Sequence, residues 1–210
     1  MGKRLFVVFS ATPLKMGTII RTATGERYNH VSLSLDKSLG KMYSFARHYK
    51  SAPLYGGFVC ETPARYRYKG KTAEIFVCAL PISEEQYCEL SQKFEEMEKE
   101  GHKYCYNLFS AALAPISLRF PIKNSFTCAE FAAQIISAVY PKVRADKFYS
   151  VDDLRQLLSA FAVYYGAFPN IKDSRPDLSY EKHIPFRKAC RLTLRSGKKL
   201  VKASLNERFK

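Results

Sequence analysis

The order of the apolar patterns along the chain is the feature that most constrains its fold. Up to about residue 80, apolar residues alternate with polar ones or form short apolar runs, as in β-strands. From residue 83 onward they recur every three or four positions, as in amphipathic helices. Strands followed by helices predict an α+β fold, in which antiparallel hairpins form a sheet that packs against helices.

Turn and capping signals give the expected limits of these elements. We expect strands over 4–10, 28–36, 41–46, 56–61 and 72–80, and a last strand or loop over 163–168. We expect helices over 17–23, 84–100, 107–114, 127–139 and 150–160. A serine followed three residues later by a glutamine or aspartate predicts capped starts at Ser83 and Ser150.

Positive charge is concentrated in two parts of the chain. The formal net charge is +15, yet residues 76–182 are nearly balanced, whereas residues 183–210 hold nine basic residues and one acidic residue. We therefore predict one domain over 1–170 and a basic extension over 171–210. Such a charge favours an anionic partner, and residues 183–210 suit an anionic polymer or membrane surface, although a solvated terminal extension is also consistent with them.

The cysteines predict free thiols. The sequence has six, with no CxxC pair, no recognisable secretory leader and no apolar run near the ~18 residues of a membrane span. We therefore expect a reducing, cytoplasmic setting. The spacing of His102 and Cys105, with Cys78 and Cys88 nearby, matches no standard zinc pattern, and no metal or cofactor is predicted.

One cysteine and one histidine stand out as candidate catalytic residues. Cys128 lies at the predicted start of a helix, where backbone N–H groups and the helix dipole favour a thiolate. His30 lies on the polar face of a strand whose other face carries Val31, Leu33 and Leu35. An imidazole beside the thiol forms an activated nucleophile, but the sequence alone is equally compatible with a buried cysteine and a structural histidine.

Both segments resemble one known family. Residues 28–36, with the sequence YNHVSLSLD, resemble the histidine strand of the permuted NlpC-type (YiiX-like) bacterial branch of the papain-like cysteine peptidase superfamily. Residues 126–131, FTCAEF, resemble the nucleophile helix of that branch, and the order histidine then cysteine is that of its permuted members. The resemblance spans roughly residues 4–168. It implies a circularly permuted papain-like fold, with an antiparallel sheet packed on the helix that carries the nucleophile.

The resemblance also implies roles for individual residues. It makes Cys128 the nucleophile and His30 the general base and later the acid. The family expects a third polar residue on the strand after the histidine, where many members have Glu. This chain has Ser44 there, with Glu61 one strand later as the alternative. Tyr28 shares the face of His30 and is a candidate oxyanion donor or packing residue.

The implied activity is hydrolysis of an amide bond in a peptide, a muropeptide or another small N-acyl compound, by the Cys128 thiolate and His30. Acyl-ester or thioester lipid hydrolysis and acyl transfer are alternatives on the same fold. A non-catalytic basic module for nucleic acid or anionic lipid is a third possibility, because tyrosines alternate with basic residues over 43–71. Arg119 and Lys123 are candidates for recognising an acidic substrate or are ordinary surface charges.

Overall fold

The strands lie among residues 2–13, 15–169 and 177–208, which are the residues that the computed structural model describes. They are β1 Arg4–Ala11, β2 His30–Ser34, β3 Met42–Arg47, β4 Gly56–Glu61, β5 Arg67–Tyr68, β6 Lys71–Thr72, β7 Glu74–Pro81, β8 Cys105–Tyr106, β9 Ser125–Phe126 and β10 Ala162–Ala167. Six of them form one antiparallel sheet in the order β10-β7-β1-β2-β3-β4. The pairs β5–β6 and β8–β9 form two small separate sheets.

The helices come mostly after the sheet. They are α1 Lys15–Thr24, α2 Glu84–Lys99, α3 Leu108–Leu113, α4 Cys128–Ser137, α5 Val151–Leu157, α6 Leu178–Glu181 and α7 Phe186–Arg208, with short 3-10 turns over Pro63–Tyr66, Gly101–Lys103, Ala114–Ile116 and Ser159–Phe161. The predicted α+β class is therefore confirmed. Both expected capping boxes are present, at Ser83 and at Ser150.

The main hydrophobic core lies between one face of the sheet and helices α2 and α4. Strand alternation directs Val31 and Leu33 of β2 toward this core, as predicted. Its centre is aromatic: the Phe131 ring of α4 lies 5.2 Å from that of Phe45 and 5.7 Å from that of Phe58, centroid to centroid. These rings fix α4 on β3 and β4, which sets the height at which the first residue of α4 lies above the sheet.

The opposite face of the sheet has its own smaller core. Phe6 and Val8 of β1 pack there with Tyr66 and Phe168, whose rings stack with centroids 4.7 Å apart. This core holds the turn Pro63–Tyr66 under the edge of the sheet. Three residues of that turn, Pro63, Arg65 and Tyr66, are buried, and the last two become important for the candidate site.

Most differences from the predicted limits are one to three residues. The segment 163–168, left open between strand and loop, is the edge strand β10. A larger difference concerns the basic extension, because residues 186–208 form the long helix α7, whose Ala189, Ser196 and Leu200 are buried against the domain. The predicted boundary at 170/171 lies outside the described residues.

Across the described ranges, no helix combines the length and the apolar character that a membrane span requires.

Replacing Phe131 tests the aromatic core. Phe131→Ala removes a ring that is 2% exposed and packed between two others, so we expect the free energy of unfolding to fall by about 3–5 kcal/mol in urea titrations. The matched control is Phe186→Ala, because Phe186 is 82% exposed and its loss should change stability by less than about 0.5 kcal/mol. Equal effects of the two substitutions would contradict this packing.

Candidate active site

Cys128 is the first residue of α4, and hydrogen bonds at the helix start fix its position. Thr127 Oγ1 accepts from the backbone N–H of Glu130 at 3.2 Å, and the Glu130 carboxylate accepts from that of Thr127 at 2.8 Å. This capping box uses two of the N–H groups at the helix start. Those of Cys128 and Ala129 have no hydrogen-bond partner within the described ranges. They remain beside the sulfur, at the positive end of the helix dipole.

His30 is the first residue of β2 and contacts both a thiol and a carboxylate. Its Nε2 lies 3.1 Å from Glu61 Oε1 and 3.2 Å from Glu61 Oε2, so the ring donates to this carboxylate. The Cys128 side chain lies close enough to raise the pKa of the ring, and both side chains line one cleft. Because Nε2 is engaged with Glu61, Nδ1 is the nitrogen that remains for the sulfur. The structure thus brings Cys128, His30 and Glu61 together in that order.

The carboxylate of Glu61 is held from its other side by a chain of hydroxyl groups. The Tyr66 hydroxyl donates to Glu61 Oε2 at 2.6 Å. Since this uses the phenol proton, the Ser32 hydroxyl donates to the Tyr66 oxygen, 2.8 Å away. Ser32, Glu61 and Tyr66 are buried, so water does not compete for these hydrogen bonds. The orientation of His30 therefore depends on a hydrogen-bond network rather than on one contact.

A buried arginine adds positive charge next to Glu61. Arg65 Nη1 lies 4.0 Å from Glu61 Oε1, while its Nε pairs with Asp177 at 2.5 Å. The guanidinium also lies over the Tyr180 ring, 4.4 Å from its centroid. Asp177 and Tyr180 come from the segment that leads into α7. That segment therefore completes the ionic surroundings of the candidate site.

These contacts determine the protonation states of His30 and Glu61. Burial alone would lower the pKa of His30, but the charge of Glu61, the nearby Cys128 side chain and the hydrogen bond to Glu61 raise it to about 10. Burial alone would raise the pKa of Glu61, but His30, Arg65 and the Tyr66 hydroxyl lower it to about 2. At neutral pH His30 is therefore an imidazolium and Glu61 a carboxylate, and the positive charge of the imidazolium lies beside the Cys128 sulfur.

A cleft of about 240 Å³ opens over the thiol and the imidazole. Leu54, Leu108 and Ala111 form apolar parts of its wall, and Tyr106 of β8 lies close to Cys128. Burial, followed by the charge at Cys128, raises the pKa of Tyr106, so the phenol keeps its proton. Tyr106 is therefore a hydrogen-bond donor available to a substrate bound at the sulfur.

Glycine at position 57 allows β8 to approach the sheet this closely. A Cβ at Gly57 would lie only 2.5 Å from the Tyr104 carbonyl oxygen, which is too close for any larger residue. The contact holds the backbone of Tyr104 against β4. It thereby brings Tyr106, two residues later, to the wall of the cleft.

Two of the predicted site residues lie elsewhere. Ser44 was the nearer choice for orienting His30, but its hydroxyl is buried with no hydrogen-bond partner within the described part of the chain. The longer Glu61 side chain contacts the imidazole instead. Tyr28 is 2% exposed and packs against Phe76 in the core, so Tyr106 replaces it as the tyrosine at the cleft.

The other candidate groups are also dispersed. Tyr43 and Tyr66, from the tyrosine-rich and basic stretch over 43–71, are buried in different cores, so this stretch does not form one exposed surface. Arg119 Nε lies 3.5 Å from Glu130 Oε1, within the machinery that caps α4. The described ranges contain no group of three or more metal-ligating side chains, and the cysteines are free.

Sequence reasoning missed Tyr66, Arg65 and Tyr106. Tyr66 and Arg65 were visible only as members of a basic aromatic stretch, and their burial depends on how the turn Pro63–Tyr66 folds under the sheet. Tyr106 directly precedes the capping residue of α3, which is a weak local signal.

Comparisons with known proteins add no family. No protein-family model matches the chain, and neither a curated protein nor a solved structure was found to be similar to it.

Removing the charge of Glu61 tests its control of His30. In Glu61→Gln we expect the pKa of His30 to fall well below about 10, because the charge of Glu61 is the largest contribution that opposes burial and only Cys128 still opposes it in the variant. Imidazole NMR titration measures it directly. Ser44→Ala is the control and should leave this pKa unchanged. A His30 pKa that responds to Ser44→Ala, or that ignores Glu61→Gln, would contradict the assignment.

Proposed function

We propose that the chain is a cysteine hydrolase of the permuted papain-like type, which cleaves an amide bond in a peptide, a muropeptide or another N-acyl compound. The observation that carries this proposal is the His30 imidazolium, which is 12% exposed and lies between the Glu61 carboxylate and Cys128. The six free cysteines are consistent with a reducing, cytoplasmic setting.

The geometry supports the following mechanism. The Cys128 thiolate attacks the carbonyl carbon, and the oxyanion forms beside the N–H groups of Cys128 and Ala129 and near the Tyr106 hydroxyl. His30 gives its proton to the leaving nitrogen as the C–N bond breaks, which releases the amine and leaves an acyl-enzyme. His30, now neutral, takes a proton from water. The resulting hydroxide attacks the acyl group and the thiolate departs.

Glu61 acts on His30 rather than on the substrate. Its carboxylate orients the ring and stabilises the imidazolium, as the third member of other nucleophilic triads does. It is therefore a positioning residue. Tyr66, Ser32 and Arg65 in turn keep the carboxylate ionised and in place.

The arrangement favours an enzyme over a non-catalytic module. Burying a charged pair costs several kcal/mol of desolvation per ion. Binding of a polyanion to a surface does not require a thiol, an imidazolium and a carboxylate in contact inside the domain. The apolar wall of the cleft gives a second candidate reaction, which is cleavage of an ester or thioester that carries an apolar acyl chain.

Alkylation rates test the nucleophile. With iodoacetamide at neutral pH we expect Cys128, although only 6% exposed, to react faster than the exposed Cys88, because His30 and the start of α4 lie beside its sulfur. His30→Ala should slow Cys128 by about 100-fold and leave Cys88 unchanged, as measured by peptide mass spectrometry over time. Rates that simply follow solvent exposure would refute the proposal.

Paired substrates test the bond that is cleaved. An amide needs a proton on its leaving nitrogen, whereas a thioester expels a stable thiolate. With the same acyl group in both substrates, we expect His30→Ala to reduce amide turnover about 10³-fold and thioester turnover much less, and we expect an acyl adduct on Cys128 in quenched reactions. Turnover of the ester or thioester alone by the native chain would favour the second candidate reaction.

A further inference from the structure

The C-terminal helix α7 exposes a continuous stripe that the domain does not cover. The stripe consists of residues spaced four and three apart, which share one face of a helix: Arg187, Arg191, Leu194, Lys198, Val201 and Leu205. Its apolar members Leu194, Val201 and Leu205 are 66%, 47% and 50% exposed. The buried Ala189, Ser196 and Leu200 lie on the other side of the helix, so this stripe is a second, outward-facing surface.

The charge around this stripe is of one sign. Seven cations of α7 are exposed: Arg187, Lys188, Arg191, Arg195, Lys198, Lys199 and Lys202. No carboxylate whose side chain the structure describes lies within 4.0 Å of them, whereas the domain's own Arg65 and Arg119 are both paired. The only acidic residue that the sequence places in α7 is Glu207. Lys199 donates to the His102 carbonyl oxygen at 3.4 Å, whereas the cations of the stripe itself, Arg187, Arg191 and Lys198, are available to an anionic partner.

We propose that α7 docks the protein on an anionic membrane surface, with its axis in the plane of the interface. A bilayer surface accommodates both parts of the stripe, because the lipid phosphates pair with the cations while Leu194, Val201 and Leu205 enter the boundary of the acyl chains. A nucleic acid would pair with the cations and leave the three apolar side chains in water. Charge complementarity together with these exposed apolar residues therefore selects a membrane.

The position of α7 relates this surface to the cleft. Leu200 packs in a cluster that includes Leu108, and Ala189 packs with Ala52 in another. Leu108 and Leu54 both line the cleft over Cys128. The helix thus lies against the segments that form the cleft wall, and docking would hold the cleft near the bilayer surface. The docking proposal itself rests on α7 alone and not on the chemistry at Cys128.

Vesicle cosedimentation of the full chain tests the proposal. We expect binding to vesicles of phosphatidylglycerol and phosphatidylcholine but not of phosphatidylcholine alone. Arg191→Gln with Lys198→Gln should weaken binding about 30-fold, since each cation near the surface contributes a factor of about five. Leu194→Gln with Val201→Gln should also weaken it at least tenfold. Each side chain is exposed, so the variants should keep the thermal unfolding midpoint of the native chain.

Matched controls separate the alternatives. Lys69→Gln with Lys71→Gln removes the same charge from the exposed β5–β6 hairpin, and Cys128→Ser removes the thiol; both should bind vesicles like the native chain. Unchanged vesicle binding in the Leu194/Val201 variant, or equal affinity for duplex DNA, would overturn the membrane in favour of a general polyanion site. Self-association through the stripe, detected by light scattering, would overturn it in favour of a second copy.

Discussion

The buried ion pair between His30 and Glu61 is the interaction on which the rest of the site depends. Removing two charges from water is costly, and their attraction offsets that cost only when the remaining hydrogen-bonding positions are also satisfied. Tyr66 satisfies one carboxylate oxygen of Glu61, and Arg65 adds a positive charge nearby. These partners come from a turn folded under the sheet, so the second core on that face is part of the functional architecture.

The sheet supplies the imidazole and a helix supplies the sulfur, so the relation between these two layers decides whether the pair forms. The aromatic contacts of Phe131 with β3 and β4 fix the helix on the sheet, and the capping box at Thr127 fixes where the helix begins. The aromatic contacts constrain the side of α4, and the capping box constrains its first turn. Cys128 is consequently placed by packing along the helix and by hydrogen bonds at its end, which is the fixed geometry that its proposed role as a nucleophile requires.

Local patterns were sufficient to predict the strands of the main sheet and the capped helices, because period, caps and turn residues are short-range properties, whereas the pairing of Cys128 with His30 was predicted only from the resemblance to a family. They were insufficient for Glu61. Choosing between Ser44 and Glu61 requires knowing how neighbouring strands place side chains of different length, which is a tertiary property. The helix α7 was missed because its buried face consists of small residues, Ala189 and Ser196, together with Leu200, so its periodicity was obscured by the charges around it.

Much of the excess positive charge of the chain lies in α7 and not at the candidate site. In the domain, the arginines nearest the site have partners: Arg65 neutralises carboxylates beneath the cleft, and Arg119 pairs with the residue that caps α4. In α7 the cations face outward on a helix whose inner face is already buried. A net charge of +15 is thus not a property of the reacting groups. Because long-range attraction depends on unpaired charge, the attraction to an anionic surface that we propose comes from α7, while His30 and Glu61 are only 12% and 4% exposed.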